Sequence, residues 1–252
     1  MSLMVYGESD IGFARRRNED AIGWHQSSNG RNVIAVLADG IGGHKGGDVA
    51  SKTAVDICIS LLSPLVDRDD LSVTELIDEL HNAVSEANDK IRVTRGKDDS
   101  LSRMGTTLLI LCVLGDQAFI ANVGDSRCYR VSVDSAKQVT KDDTVAQAMV
   151  DDGSITESEI PRIPFRNVLT KAVGTEPVVL ADIQQIFMSG DEALILCSDG
   201  LTGAVDAKQW PAIIAQSKSV KQQVACLIDE SINNKANDNV SVVIVRRQQL
   251  SD

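Results

Sequence analysis

Apolar and polar positions along this chain follow two periods, and the places where the period changes divide it into strands and helices. Residues 4–9 and 21–26 read as short strands on either side of a polar turn, Arg15-Arg16-Arg17-Asn18-Glu19-Asp20. Val33-Ile34-Ala35-Val36-Leu37-Ala38 is unbroken in its apolar character and rich in Val and Ile, the pattern of a buried strand. That run stops at Asp39, and Gly40, Gly42, Gly43 and His44 follow directly. From Gly46 to Leu62, Val49, Ala50, Ala54, Ile57, Cys58 and Leu61 recur at helical spacing, with Pro64 and the charged run 67–70 expected to end the helix. Ser72 and Glu75 have the spacing of a capping box ahead of a second stripe, Val73, Leu76, Ile77, Leu80, Val84, Ala87 and Ile91, with His81 at its boundary.

After a polar loop at 96–102 the period shifts at Gly105. Residues 106–114 and 117–123 read as strands joined by the hairpin turn Gly115-Asp116, and a further strand at 127–133 is turned off by Asp134-Ser135. The stretch 141–167 is polar, contains Pro161 and Pro164, and predicts a short helix at 144–152; its length suits a functional flap better than a connector. Strands are expected near 182–188 and 192–197, helices near 206–216 and 220–234, and a last strand at 240–245. No repeat or linker interrupts this order, so the expectation is one α+β domain spanning residues 1–252.

Composition narrows the chemistry. The net charge of -11 argues against nucleic acid or an anionic membrane as partner, and fits a chain that holds divalent cations. Aromatic residues make up only 3%, too few for base-stacking platforms. Cys58, Cys112, Cys128, Cys197 and Cys226 form no CxxC pair, and all but Cys128 sit in apolar surroundings, so reduced thiols are expected rather than disulfides or zinc ligands. The N-terminus lacks a basic-then-apolar signal, and no uninterrupted apolar run approaches the ~20 residues of a membrane span. The expectation is a cytoplasmic protein with no membrane partner.

Four aspartates share one context: Asp39, Asp125 and Asp199 follow apolar strands, and Asp238 directly precedes one. Any one alone reads as a turn residue. Strands packed into one core bring their ends together, so the four could converge at one edge. Clustered carboxylates repel unless hard cations lie between them, and oxygen-only ligands favour Mg²⁺, Mn²⁺ or Ca²⁺ over zinc. The nearby arginines add a site for an anion. Spacing and composition lead to an acidic divalent-cation site with an arginine beside it.

A set of motifs in order extends this reading. They are Gly12-Phe13-Ala14-Arg15-Arg16-Arg17-Asn18-Glu19-Asp20, Ala38-Asp39-Gly40-Ile41-Gly42-Gly43-His44, Met104-Gly105-Thr106-Thr107, and Ala121-Asn122-Val123-Gly124-Asp125-Ser126-Arg127. Leu169-Thr170-Lys171-Ala172-Val173-Gly174, Cys197-Ser198-Asp199-Gly200-Leu201 and Asn237-Asp238-Asn239-Val240-Ser241 complete it. In this order the chain resembles the metal-dependent PPM protein phosphatases, the type 2C serine/threonine phosphatases, in their bacterial form. The resemblance implies a β-sandwich of two antiparallel sheets flanked by helical layers, with two divalent cations, Mn²⁺ or Mg²⁺, at one edge. It implies that Asp39 bridges the cations with the Gly40 carbonyl beside it, that Asp199 and Asp238 complete one shell, and that Glu19 serves the other. Asp20 and Asn239 would stand behind these ligands, and Asp125 would hold a third, weaker cation. Arg15 matches the arginine that grips the substrate phosphate and His44 the general acid. The implied reaction is direct attack of an activated water on phosphoserine or phosphothreonine, with phosphorylated proteins and a serine/threonine kinase as functional partners.

Two positions depart from the family pattern. Members commonly read Asp-His-Ser where this chain has Asp142-Asp143-Thr144, and His-Pro where it has Ile163-Pro164. Both bear on the flap. The alternatives are a catalytically silent binding module of the same fold, which loss of a cation-binding aspartate would favour, and a phosphomonoesterase of small molecules. All of the aspartates are present.

Overall fold

The computed structural model describes residues 2–42, 46–68, 70–217 and 219–248. In chain order, β1 (Leu3–Asp10), β2 (Asp20–Gln26) and β3 (Asn32–Ile41) lead into the long helices α1 (Gly47–Val66) and α2 (Val73–Arg95). Then come β4 (Gly105–Thr106), β5 (Leu108–Leu114), β6 (Gln117–Val123), β7 (Arg127–Val131), β8 (Ala136–Gln138) and α3 (Val145–Asp151). The chain closes with β9 (Asp182–Phe187), β10 (Ala193–Cys197), α4 (Asp199–Ala204), α5 (Trp210–Ile214), α6 (Val220–Asn233) and β11 (Val240–Arg247). The described strands form two antiparallel sheets, one ordered β1-β11-β10-β7-β8 and the other β2-β3-β5-β6-β9, with β4 paired to β3.

Alternation along each strand assigns residues to layers. In β3, Val33, Ala35 and Leu37 point between the sheets, where they meet Leu109, Leu111, Leu194, Leu196, Val243 and Val245. Ile34, Val36 and Ala38 point the other way, onto α1 and α2. The second sheet likewise turns Ile195, Cys197, Val242 and Ile244 toward α4, α5 and α6, around the fully buried Trp210. Sheet is therefore covered on both faces, which is why β3, β5, β10 and β11 read as continuous apolar runs rather than alternating ones. The result is the α+β sandwich flanked by helices that the motif set implied.

Several boundaries differ from the sequence reading. Pro64 does not end α1: it lies inside the last turn, and the helix continues to Val66. The carbonyl that Pro64 leaves without its helical donor belongs to exposed Ser60, where water can reach it, while Val66 gains full burial. The buried face of α1 runs through Gly47, Ala50, Ser51, Ala54, Val55, Cys58, Leu62 and Val66, so Val49 and Leu61 are left exposed. At α2 the Ser72 hydroxyl accepts from the Glu75 N–H, but the Glu75 carboxylate pairs with Arg68 instead of closing the box. The helix expected at 206–216 is a short 3-10 turn followed by α5, and α4 and β8 were not anticipated. α1 is long and apolar enough to cross a membrane by composition. Here it lies between β3 and α2 with one face in the core.

Candidate metal centre

The inward-facing rows of the two sheets do not stop where the apolar core stops. Two residues beyond Leu37 on β3 is Asp39, and two before Ile22 on β2 is Asp20. The same step leads from Leu109 to Thr107, from Cys128 to Ser126, from Leu196 to Ser198 and from Val243 to Ser241. One rim of the sandwich thus carries a polar layer. Thr107 and Ser126 are bonded hydroxyl to hydroxyl at 2.7 Å, and the Asp39 N–H donates to Thr107 Oγ1 at 2.9 Å. Ser198 and Ser241 both donate to Asp20 Oδ2, at 2.8 and 2.7 Å.

Asp20 and Asp39 are direct cross-strand partners. Two carboxylates placed opposite each other destabilise a sheet unless something neutralises them. Around them, a pocket of about 240 Å³ is lined by Arg15, Glu19, Asp39, Gly40, Asp125, Asp199, Asp238 and Asn239, along with Thr107, Asn167 and Leu169. Asp125 sits in the turn where the chain leaves β6 in one sheet for β7 in the other, Asp199 opens α4 directly after β10, and Asp238 precedes β11. The arginine-rich loop is fastened to this rim by Asn239. Its Nδ2 donates to the Ile11 and Arg17 carbonyls at 2.8 and 2.9 Å, and its Oδ1 accepts from the Glu19 N–H at 2.8 Å. Glu19 is held against β3, since its carbonyl accepts from the Gly40 N–H at 3.1 Å and from Ser51 Oγ at 2.6 Å. A Cβ on Gly40 would stand 2.2 Å from the Gly47 carbonyl oxygen, so only glycine lets the start of α1 come this close.

The electrostatics of the rim are unfavourable. Burial first, then the charges of Asp20, Asp199, Asp125 and Asp238, push the Asp39 carboxyl well above the usual carboxylate range. Asp125 is raised to about 7 by burial, then by Asp199 and Asp142, against the opposing Arg127. Asp199 is raised to about 6 by burial and then Asp238. Asp20 also reaches about 6, because burial outweighs its two serine donors. Arg15 relieves part of this: its guanidinium reaches Asp238 Oδ2 at 2.5 Å. Buried oxygens Asp20 Oδ1 and Asp199 Oδ1 have no hydrogen-bond partner.

Unpaired buried carboxylate oxygens, mutual repulsion and an all-oxygen donor set are what hard divalent cations satisfy. Among the described residues, no three His, Cys, Asp or Glu side chains form a ready-made metal cage. The carboxylates line an open pocket instead, which suits ions that keep several waters and take one or two carboxylates each. The residues fit such a group.

All the sequence-derived candidates among the described residues meet at this rim, Asp20 lying just behind the pocket wall. His44 lies outside the described residues. The sequence reading missed Thr107, Ser126, Ser198 and Ser241, although each sits two positions from an inward apolar residue, a parity signal that would have found them. The departure at Asp143 and its neighbour Asp142 also acquire partners. Asp142 forms a bidentate pair with Arg127, Nε to Oδ1 at 2.9 Å and one terminal nitrogen to Oδ2 at 2.6 Å. Asp143 accepts from the Gly124 N–H at 3.1 Å and pairs with Lys171 at 2.8 Å.

Residues 14–239 match the family model described as Protein phosphatase 2C. The chain is 30% identical over 239 residues to the serine/threonine phosphatase stp of Listeria innocua, covering 95% of this chain and 94% of that one. Among solved structures it is similar to serine/threonine phosphatase Stp1 of Staphylococcus aureus, with a TM-score of 0.89, 28% identity, and 99% and 96% of the two chains covered. It is also similar to the catalytic domain of the phosphatase PstP in complex with two manganese ions, with a TM-score of 0.80, 30% identity and 97% of each chain covered. Fold, rim chemistry and these likenesses agree: the chain belongs to the protein phosphatase 2C family.

Proposed function

We propose that the carboxylate rim is the active site of a metal-dependent serine/threonine protein phosphatase that hydrolyses phosphoserine and phosphothreonine monoesters. The observation that carries this reading is the meeting of mutually repelling aspartates with Arg15 in one pocket. Cation ligands and a phosphate-binding guanidinium then serve one centre. Asp39 and the Gly40 carbonyl would hold two cations between them, Asp199 and Asp238 would complete one shell, and Glu19 would serve the other. A Cβ placed on Gly47 would lie 3.0 Å from both the Gly40 oxygen and a Glu19 carboxylate oxygen, so those two groups face one small space. Asp125 would hold a third, weaker cation. Manganese or magnesium fits the oxygen donors, and the likeness to the manganese-bound PstP domain supports manganese. When bound, the cations supply charge neutralisation for the phosphomonoester dianion and acidify the attacking water.

The chain's own groups do the rest. Arg15 is half exposed, and its pair with Asp238 is a surface ion pair worth ~1 kcal/mol or less. It can therefore exchange that partner for the substrate phosphate, which its planar fork grips at two oxygens. Asn239 keeps the Arg15 loop seated through its three hydrogen bonds. The leaving serine or threonine alkoxide is strongly basic, and we assign its protonation to His44. We further read residues 1–252 as one phosphatase domain with a flap at about 141–167, acting in the cytoplasm on phosphoproteins made by a serine/threonine kinase. The described cysteines are all free, which suits a reducing compartment, and burial pushes the Cys58, Cys112 and Cys128 thiols up to about 12, leaving them inert as nucleophiles.

The test is phosphate release from a phosphothreonine peptide after chelation and re-addition of Mn²⁺. Metal-dependent turnover is expected in the parent chain and is lost in Asp39→Asn and Asp199→Asn. Full metal-dependent activity in both variants would overturn the assignment.

A further inference from the structure

The turn that presents Asp125 crosses from one sheet to the other, so strand pairing does not hold it. Gly124, at φ +102°, uses both of its backbone polar groups on the base of the flap. Its N–H donates to Asp143 Oδ2 at 3.1 Å, and its carbonyl accepts from the Asp143 N–H at 2.9 Å and from Asn122 Nδ2 at 3.2 Å. Asp143 is also part of a short two-stranded neck. Its carbonyl accepts from the Thr170 N–H at 2.8 Å, Val145 N–H donates to the Val168 carbonyl at 2.8 Å, and Thr144 bridges Leu169. The second carboxylate oxygen of Asp143 pairs with Lys171 Nζ at 2.8 Å. One side chain thus ties the entry of the flap, its exit and the turn before Asp125. Neighbouring Asp142 takes no part, since Arg127 occupies both of its oxygens.

We infer that Asp143 is a positioning residue for a cation at Asp125: its side-chain oxygen, accepting from the Gly124 N–H, clamps Gly124 and so aims the Asp125 side chain into the rim. This rests on the reading of Asp125 as a cation ligand. Partners standing behind a metal ligand typically change metal affinity 10- to 100-fold when removed.

The experiment is Mn²⁺ binding, followed by calorimetry and by the electron paramagnetic resonance signal of free Mn²⁺. Asp143→Ala with Lys171→Met removes the acceptor at constant net charge, while Asp143→Asn with Lys171→Met keeps an acceptor at the same net charge. The expected result is a weak binding class loosened about tenfold or more in the alanine pair, unchanged in the asparagine pair, with the tight class unchanged in both. Should the alanine pair also lose the tight class, Asp143→Ser with Lys171→Met, one bond too short to reach Gly124, replaces it with the same expectation. An unchanged weak class in the alanine or serine pair, or equal loosening in the asparagine pair, overturns the inference. Asp125→Ala separates the two levels. If it abolishes the weak class while the Asp143 variants do not touch it, only the clamp fails. If it leaves the weak class intact, the reading of Asp125 fails and the clamp with it.

Discussion

In the metal-free chain the Asp125 carboxyl stands at about 7, raised from its ordinary 3.8 chiefly by burial and then by Asp199 and Asp142. Between those values the folded chain holds a proton that the unfolded chain has released. Stability therefore falls as pH rises through that window. A shift of this size, at ~1.4 kcal/mol per pK unit, amounts to ~4 kcal/mol. Asp125 is only half-buried, and the effective dielectric of such sites lowers this to ~2 kcal/mol. Asp125→Asn removes the charge while keeping the shape. In EDTA the variant is expected to be ~2 kcal/mol more stable than the parent at pH 8, with a smaller gain at pH 5 and a flatter pH slope. Urea denaturation at several pH values reads this directly. Saturating Mn²⁺ narrows the gap, because the tight sites stabilise both chains while only the parent gains the weak cation at Asp125. A variant no more stable than the parent in EDTA at pH 8 would refute the claim that burial and neighbouring carboxylates make a charged Asp125 unfavourable in the metal-free chain.

Asn239→Ala leaves the Ile11 and Arg17 carbonyls and the Glu19 N–H without partners, so a loss of ~2 kcal/mol or more in stability is expected. With the Arg15 loop loosened, KM for a phosphopeptide should rise while Mn²⁺ affinity at the tight sites changes little; an unchanged KM would count against loop seating. His44→Ala should slow phosphopeptide hydrolysis far more than aryl phosphate hydrolysis, because an aryl leaving group needs little protonation. Equal losses on both substrates would remove His44 from the general-acid role.

Much of the fold was legible because burial on both faces leaves a plain signature. The run Val33–Ala38 could be read as a buried strand, and Gly115-Asp116 as a hairpin turn, from residue type alone. The α1 face was misread by about one position, because Val49 and Leu61 are apolar yet exposed, while small Gly47 and Ser51 take the buried places where helix meets sheet. Convergence of Asp39, Asp125, Asp199 and Asp238 was legible only as a set, since each alone looks like a turn residue. The clamp from Asp143 to Gly124 was not legible: residues 19 positions apart meet there through a side chain, and no periodicity announces such a bond. Pairing of Asp20 with Asp39 needed strand register, which the hydrophobic pattern restricts but does not name residue by residue.

The central claim is that this rim holds divalent cations between the sheet ends. Anomalous scattering at the manganese edge from crystals grown with Mn²⁺ tests it most directly. The account predicts peaks between Asp39, the Gly40 carbonyl, Asp199 and Asp238, a peak on the Glu19 side, and Arg15 moved off Asp238. Peaks elsewhere, with Arg15 still paired to Asp238 and the rim empty of manganese, would contradict it.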